Sequence, residues 1–290
     1  MVEHAHPPVV PDRTVVIGAG FVGGAIAQAM RARGGAVLAL RRDFDLLAPD
    51  AAERLAALLT PADSVVAVAA KAPVKNSAML VDCVRMAGAM VAAIERAKPR
   101  HVLYVSSDAV YADGPLPLTE ASPLLPGALH GHMHVVREAM FAAAGVPLAI
   151  LRPTLIYGAA DPHNGYGPNR FARLAKAGER IVLFGEGEER RDHVAVEDVA
   201  ELAARLIERR STGALNAATG RVASFRDIAR RIAALAARKA EILGSPRQGP
   251  MPHGGYRPFD PAGVARAFPD FRFRAWEDGV AALVLPSAAQ

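Results

Sequence analysis

The chain has 290 residues, 51% of them hydrophobic, which allows a sizeable core in one large domain or two unequal ones. Its one cysteine, Cys83, excludes an internal disulfide framework, fits a reducing compartment, and sits in a helical stretch where a packed thiol is expected. The net charge is +5, but the arginines stand beside acids, as in Glu201–Arg205 and Glu208-Arg209-Arg210. No basic run is interleaved with aromatics, so no nucleic-acid partner is expected. A phosphate-bearing small molecule stays open.

The opening, residues 1–12, carries Glu3, His4, His6 and three prolines. It lacks the basic and apolar regions of a secretory signal and reads as a flexible extension. No segment is expected to approach the roughly 20 apolar residues that cross a bilayer. A cytoplasmic protein without a membrane partner follows.

Short apolar runs then alternate with alanine-rich helical stretches. Strands are predicted at Thr14–Ile17, Ala36–Leu40, Ser64–Ala69, His101–Ser106 and Leu148–Arg152. Between them, helices are predicted at Gly23–Arg33, Ala51–Leu59, Ser77–Ala97 and His130–Ala144. Strands apolar along their whole length, separated by helices, indicate an α/β fold with a parallel sheet covered on both faces. After Tyr157 the pattern loosens. Helices are predicted at Arg170–Ala177, Val196–Glu208 and Ser224–Ala237, the last with a Ser224/Asp227 capping box, and short strands at Ile181–Phe184 and Ala214–Ala217. The tail from Gly244 to Asp270 is rich in Pro and Gly and reads as weakly structured. Residues 13–158 thus form a sheet region, and 159–290 mainly a smaller lobe with segments returning to the sheet.

The first strand runs directly into Gly18-Ala19-Gly20-Phe21-Val22-Gly23-Gly24, and a helix follows. Such glycines permit a tight turn, close approach of a pyrophosphate and close helix–strand packing, while the helix N-terminus offers free N–H groups. Gly18, Gly20, Phe21, Val22 and Gly23 are therefore candidate cofactor-binding residues of a doubly wound Rossmann sheet. At the end of the second strand, where an NAD site places an acid, Arg41-Arg42 stand instead. An arginine pair suits a 2′-phosphate, so NADP(H) is favoured over NAD(H). Asp45 is a further candidate contact to adenine.

The chain resembles the extended short-chain dehydrogenase/reductase family, also called the NAD-dependent epimerase/dehydratase family. The resemblance rests on an ordered series: the glycine loop, Val105-Ser106-Ser107-Asp108-Ala109-Val110-Tyr111, Leu151-Arg152-Pro153-Thr154-Leu155-Ile156-Tyr157-Gly158, Phe184-Gly185-Glu186-Gly187, Arg191-Asp192-His193-Val194-Ala195-Val196-Glu197-Asp198, and Asn216. Ser106-Ser107-Asp108 is also similar to the Ser-Thr-Asp of dTDP-4-dehydrorhamnose reductases. The resemblance implies that Ser107 binds the reacting oxygen of the substrate. It places Asp108, Tyr111 and Tyr157 near substrate and nicotinamide, and Ala69, Ala70, Lys71 and Pro153 along the cofactor. Arg191 matches an arginine that often holds the diphosphate of a nucleotide-sugar.

The family's Tyr-x-x-x-Lys is replaced. In register, with Gly131 and Glu138 fitting the pattern, His130 stands for tyrosine and His134 for lysine. Tyr166-Gly167-Pro168-Asn169-Arg170 imitates the motif but falls too late in the chain and contains a proline. Three accounts follow. His130 acts as proton donor or base, with Ser107 orienting the substrate and His134 assisting or touching ribose; or the protein binds the dinucleotide without redox chemistry; or the two histidines, one helical turn apart, bind a metal. The first is preferred, with no metal assigned and Ser107, His130 and His134 as candidate catalytic residues. Lys71 and Lys75 follow the Ser64–Ala69 strand, where they are solvated or replace the lost lysine's charge. The expected function is an NAD(P)-dependent oxidoreductase or epimerase-like enzyme acting on a carbonyl or hydroxyl of a sugar or nucleotide-sugar. A homodimer through Ser77–Ala97 and His130–Ala144 is a further expectation from the resemblance.

Overall fold

The computed structural model describes residues 2–114 and 116–285. In chain order the elements are β1 (Arg13–Ile17), α1 (Phe21–Ala32), β2 (Ala36–Leu40), α2 (Ala51–Leu58), β3 (Ser64–Ala67), α3 (Ser77–Ala97), β4 (His101–Val105), α4 (Leu129–Ala142), β5 (Leu148–Pro153) and β6 (Leu155–Tyr157). There follow α5 (Pro168–Ala177), β7 (Ile181–Phe184), β8 (Arg190–Ala195), α6 (Val196–Glu208), β9 (Gly213–Ala217), β10 (Val222–Ser224), α7 (Phe225–Leu235), β11 (Ile242–Ser245), β12 (Tyr256–Arg257), α8 (Ala262–Ala267) and α9 (Trp276–Val284).

Six parallel strands form one sheet in the order β2-β1-β3-β4-β5-β9. The two-residue period of the strands splits their side chains between two cores. Val16, Val66, Leu103 and Leu151 pack with α1 and α6. Val15, Ile17, Val65, Val102 and Tyr104 pack with α2 and α3. The strand order reverses between β1 and β3, and ligands of open α/β sheets bind outside the strand ends at such a point. The glycine loop lies there.

The second part has its own core, around Phe171, Ile181, Leu183, Phe225, Ile228 and Val280. Its strands pair as β10-β8-β12, with β6 beside β8 and β11 beside β7. Tyr166 sits among Phe171, Phe184 and Phe225, so the imitation motif is an aromatic packing unit.

Three expectations are corrected. The opening segment is tied down: Glu3 and Thr212 exchange backbone hydrogen bonds, and Ala5 and Val9 donate to Arg209 and Glu208. The tail from Gly244 to Asp270 contains the end of β11, then β12 and α8; its strands are two to four residues long and take their partners from distant sequence, so local periodicity does not announce them. And α3 does meet the length and composition of a membrane span, with a mean hydropathy of 1.6. One face of it serves packing: Cys83, Ala87, Met90, Ala93 and Ile94 are buried and the helix lies against α2 and α4.

Candidate active site

Gly18 has φ +96°, and a Cβ there would lie 2.4 Å from the Ala69 nitrogen. A Cβ on Gly23 would lie 2.3 Å from the Gly18 carbonyl oxygen. These glycines let the turn after β1 press against the chain after β3 and against α1. Gly20 differs: nothing lies within 4 Å of its would-be Cβ. It caps α1 without a side-chain hydrogen bond, and the first turn holds no acid. Open space, unclaimed N–H groups and a positive helix end fit a pyrophosphate. Phe21, half-buried, closes the loop's flank, where a Cβ on Gly158 would lie 3.1 Å from its ring.

Arg41 and Arg42 are exposed at the end of β2. Neither has an ion-pair partner among the described residues. Asp45 uses one carboxylate oxygen to accept from Leu47 N–H at 2.9 Å, which shapes the turn after them. Lys71 pairs with Asp82 at 2.7 Å, and Lys75 is exposed. Ala69 and Ala70 are half-buried, and Pro153 is buried at the end of β5.

At the catalytic corner, α4 is pressed onto the turn after β4: a Cβ on Gly131 would lie 2.0 Å from the Ala109 carbonyl oxygen. This contact sets the first turn of α4 against the turn that carries Ser107, close enough for Asp108 to act on His130. Ser107 is extended; its Oγ accepts from Ala109 N–H at 3.2 Å and donates to Asp108 Oδ1 at 3.3 Å. His130 is half-buried, with Val74 N–H 3.5 Å from its Nδ1. Burial pushes its pKa down while Asp108 pulls it up; the imidazole is neutral near pH 7.

His134 differs from expectation. Its ring stands edge-on to His130 at 4.8 Å, and its Nδ1 is 2.7 Å from the Tyr104 hydroxyl. Burial first, then His130 and Arg137, hold its pKa well below the ordinary value. Helical phase explains the placement, since His134, Arg137, Glu138 and Phe141 share the buried face of α4, and only the first turn reaches the edge. His134 supports His130 from behind. Arg137, fully buried, donates to the Ala69 carbonyl at 2.7 Å and lies over the Tyr104 ring.

Beneath this corner Glu138 accepts from Ser106 Oγ (2.6 Å) and, through both oxygens, from Arg152 (2.9 and 2.7 Å). Arg152 also donates to the Tyr111 hydroxyl, which donates to Asn216 Oδ1 at 2.7 Å. Tyr111 is thus a buried strut between the Ser107 turn and β9, without a free hydroxyl for substrate. Tyr157 is buried as well, its hydroxyl against Gly279, and it faces the second core and not the cleft.

On the far side of Ser107 lies a charged cluster. Arg191 stands 3.5 Å from Asp108 and 3.4 Å from Glu189. Arg257, which the sequence analysis missed, reaches from β12 to Asp108 at 3.4 Å, to Asp113, and to the carbonyls of Asp108 (2.8 Å) and Tyr111 (3.3 Å). Its signal was a lone arginine between Tyr256 and Pro258 in a segment without periodicity. Two cavities lie elsewhere, one of about 300 Å3 lined by His6, Ser64 and Arg210 and one of about 470 Å3 lined by Arg221 and Trp276. Among the described residues no three His, Cys, Asp or Glu side chains converge as metal ligands.

Comparison with known proteins gives a consistent assignment. A UDP-N-acetyl-alpha-D-glucosaminuronate decarboxylase from Bacillus cytotoxicus is 27% identical over 168 residues, 53% of this chain and 52% of that protein. A dTDP-4-dehydro-6-deoxy-D-allose reductase from Streptomyces bikiniensis is 32% identical over 108 residues, 35% of this chain and 32% of that protein. The chain therefore spans about half the length, or less, of these curated relatives. Among solved structures, the UDP-glucose 4-epimerase of Thermus thermophilus in complex with NAD superposes with a TM-score of 0.80 at 24% identity, covering 93% of this chain and 96% of that one; this shows the fold. The sequence model of the NAD dependent epimerase/dehydratase family matches residues 14–218, well over half the chain, and the protein belongs to that family.

Proposed function

We propose that the protein is an NAD(P)-dependent oxidoreductase or epimerase-like enzyme acting on a carbonyl or hydroxyl of a sugar or nucleotide-sugar. The observation that carries this reading is the packing of Gly131 on Ala109, which sets a neutral His130 beside the Ser107 turn. The glycine loop, Arg41 and Arg42 would hold the dinucleotide, which supplies the hydride acceptor or donor when bound. The unpaired arginines favour a 2′-phosphate and so NADP(H). Ser107 orients the reacting oxygen through its hydroxyl hydrogen, which turns from Asp108 to the substrate. His130 takes the proton from a substrate hydroxyl, or returns it to a carbonyl oxygen in the reverse direction. An imidazole is shorter than a phenol, so the substrate sits closer to α4. His134, held by Tyr104, keeps the His130 ring in place.

The second reading, a dinucleotide binder without turnover, rests on the absence of phenol and lysine at the start of α4. The variant His130→Ala separates the two. With keto-sugars and NADPH, turnover falls by about 100-fold or more in the first reading, while cofactor affinity is unchanged in both. Equal turnover of wild type and variant removes His130 from the mechanism. Two copies pair through α3 and α4 in this proposal, where Val81 and Val136 are exposed. Light scattering after size-exclusion chromatography checks this, and a monomer at micromolar concentration contradicts it.

A further inference from the structure

At the end of the sheet opposite the glycine loop, Thr14, Ser64 and His101 are register partners at the starts of β1, β3 and β4. Their side chains therefore share one face, the one that α1 and α6 cover. All three residues are fully buried, and each keeps a polar atom without a hydrogen-bond partner among the described residues: Thr14 Oγ1, Ser64 Oγ and His101 Nδ1. Buried polar atoms are ordinarily satisfied, so three exceptions in one row call for a partner. Ser64 lines a cavity of about 300 Å3, together with His6, Arg100 and Arg210 and the apolar walls of Pro11 and Ile207. The charge around it is one-sided. Arg210 has no ion-pair partner among the described residues; its Nε donates to His6 Nε2 at 2.6 Å, and its terminal nitrogens are unengaged. Arg100 is 3.6 Å from Asp12, a carboxylate 91% exposed. The other acids at this end are held elsewhere, Asp63 by Arg13 and Glu208 by Arg33.

We propose that this cavity binds a phosphate group, free or as the ester of a small molecule, with Arg100 and Arg210 pairing its charge and the Ser64 hydroxyl donating to it. Guanidinium groups match phosphate oxygens in geometry as well as charge. The buried hydroxyl gains the acceptor it lacks, and the apolar walls suit the carbon stem of an ester. The site is separate from the cleft. Thr14 lies at the start of the strand whose other end runs into the glycine loop, and the five residues of β1 span roughly 15 Å. His6 comes from the opening segment and Arg210 from the turn after α6, so an occupant ties both to the sheet. Because the cavity exists only when these three parts are assembled, the ligand stabilises the folded chain.

The test is calorimetric titration of the full chain with inorganic phosphate and, separately, with glycerol 3-phosphate, at constant ionic strength. Wild type is expected to bind at least one of them with a dissociation constant in the millimolar range or tighter. Ser64→Ala, which removes only the hydroxyl, and Arg210→Gln are each expected to weaken that binding by about tenfold or more. A phosphate held on the glycine loop would be untouched by either substitution, so the loss also locates the ligand. Cooperative melting without phosphate shows that each variant is folded. Arg100→Gln, at a half-buried position, covers the case in which the Arg210 variant fails to fold. Tighter binding of the ester makes the occupant a phosphorylated small molecule; equal or weaker binding makes it free phosphate. Binding of neither ligand by wild type overturns the proposal, as do folded variants that bind as tightly as wild type.

Discussion

Two arginine pairs frame the cleft, and they are opposites. Arg41 and Arg42, at the end of β2, are exposed and have no carboxylate partner among the described residues. Arg191 and Arg257, on β8 and β12, are half-buried and buried, and each lies beside two carboxylates. In the sequence the two pairs carry equal charge. In the fold, one is open to solvent and fits an anion, while the other is a brace that ties the second lobe to the Ser107 turn. The pairing of an arginine, and not its presence, decides what it binds.

The largest effect is expected where a buried pair is broken. Glu138→Ala leaves Arg152 without its carboxylate in the core under the catalytic turn and should cost about 3–5 kcal/mol of stability, read as the midpoint of urea unfolding. A loss below about 1 kcal/mol would mean that burial does not set the strength of these pairs. Next comes the open pair. Arg41→Ala with Arg42→Ala should weaken NADPH by about 10- to 100-fold, the equivalent of one charge-assisted hydrogen bond of about 1.5–3 kcal/mol, and leave NADH unchanged. Equal loss for both cofactors would show that the arginines do not read the 2′-phosphate.

Buried histidines sharpen the contrast through pH. Burial holds His101 at about 4 and His193 at about 3, below their ordinary range. Between those values and about 6.5 the folded chain binds fewer protons than the unfolded chain, so stability rises with pH and is lost as pH falls. Asp192, raised to about 6 by burial, acts oppositely over its own window, but it is one group against at least two. The melting temperature should therefore drop by roughly 5 °C or more between pH 7 and pH 5; a rise would contradict the neutral, buried state of these rings. The smallest effect belongs to the half-exposed Lys71–Asp82 pair. Lys71→Ala should change stability by less than about 1 kcal/mol, and a larger loss would give Lys71 a role beyond that pair.

What the sequence disclosed follows the same division between local and distant interactions. The sheet, its crossover helices and the glycine loop were legible because their signals are local: apolar runs, helical spacing, and glycines between a strand and a helix. Helices α3 and α6 have the predicted bounds. The short strands β6, β8, β10 and β12 were not predicted as strands, because their reason to be extended lies in partners far along the chain. At the site, motif positions located Ser107 and His130 but gave no direction to side chains. Tyr111, Tyr157 and His134 fit a pattern of functional positions, yet strand phase turns Tyr157 inward, helix phase His134, and the turn after β4 Tyr111. Arg257 was invisible because a buried arginine in a Pro-rich tail has no local signature; only its reach to Asp108 and Tyr111 reveals it.

The most direct test of the account is fluorescence titration of the purified protein with NADPH and with NADH. Micromolar binding of NADPH, with NADH weaker by at least about tenfold, is the predicted result and places the dinucleotide on the glycine loop with Arg41 and Arg42 at its 2′-phosphate. Absence of binding to either nucleotide would contradict the account and leave a Rossmann scaffold put to another use.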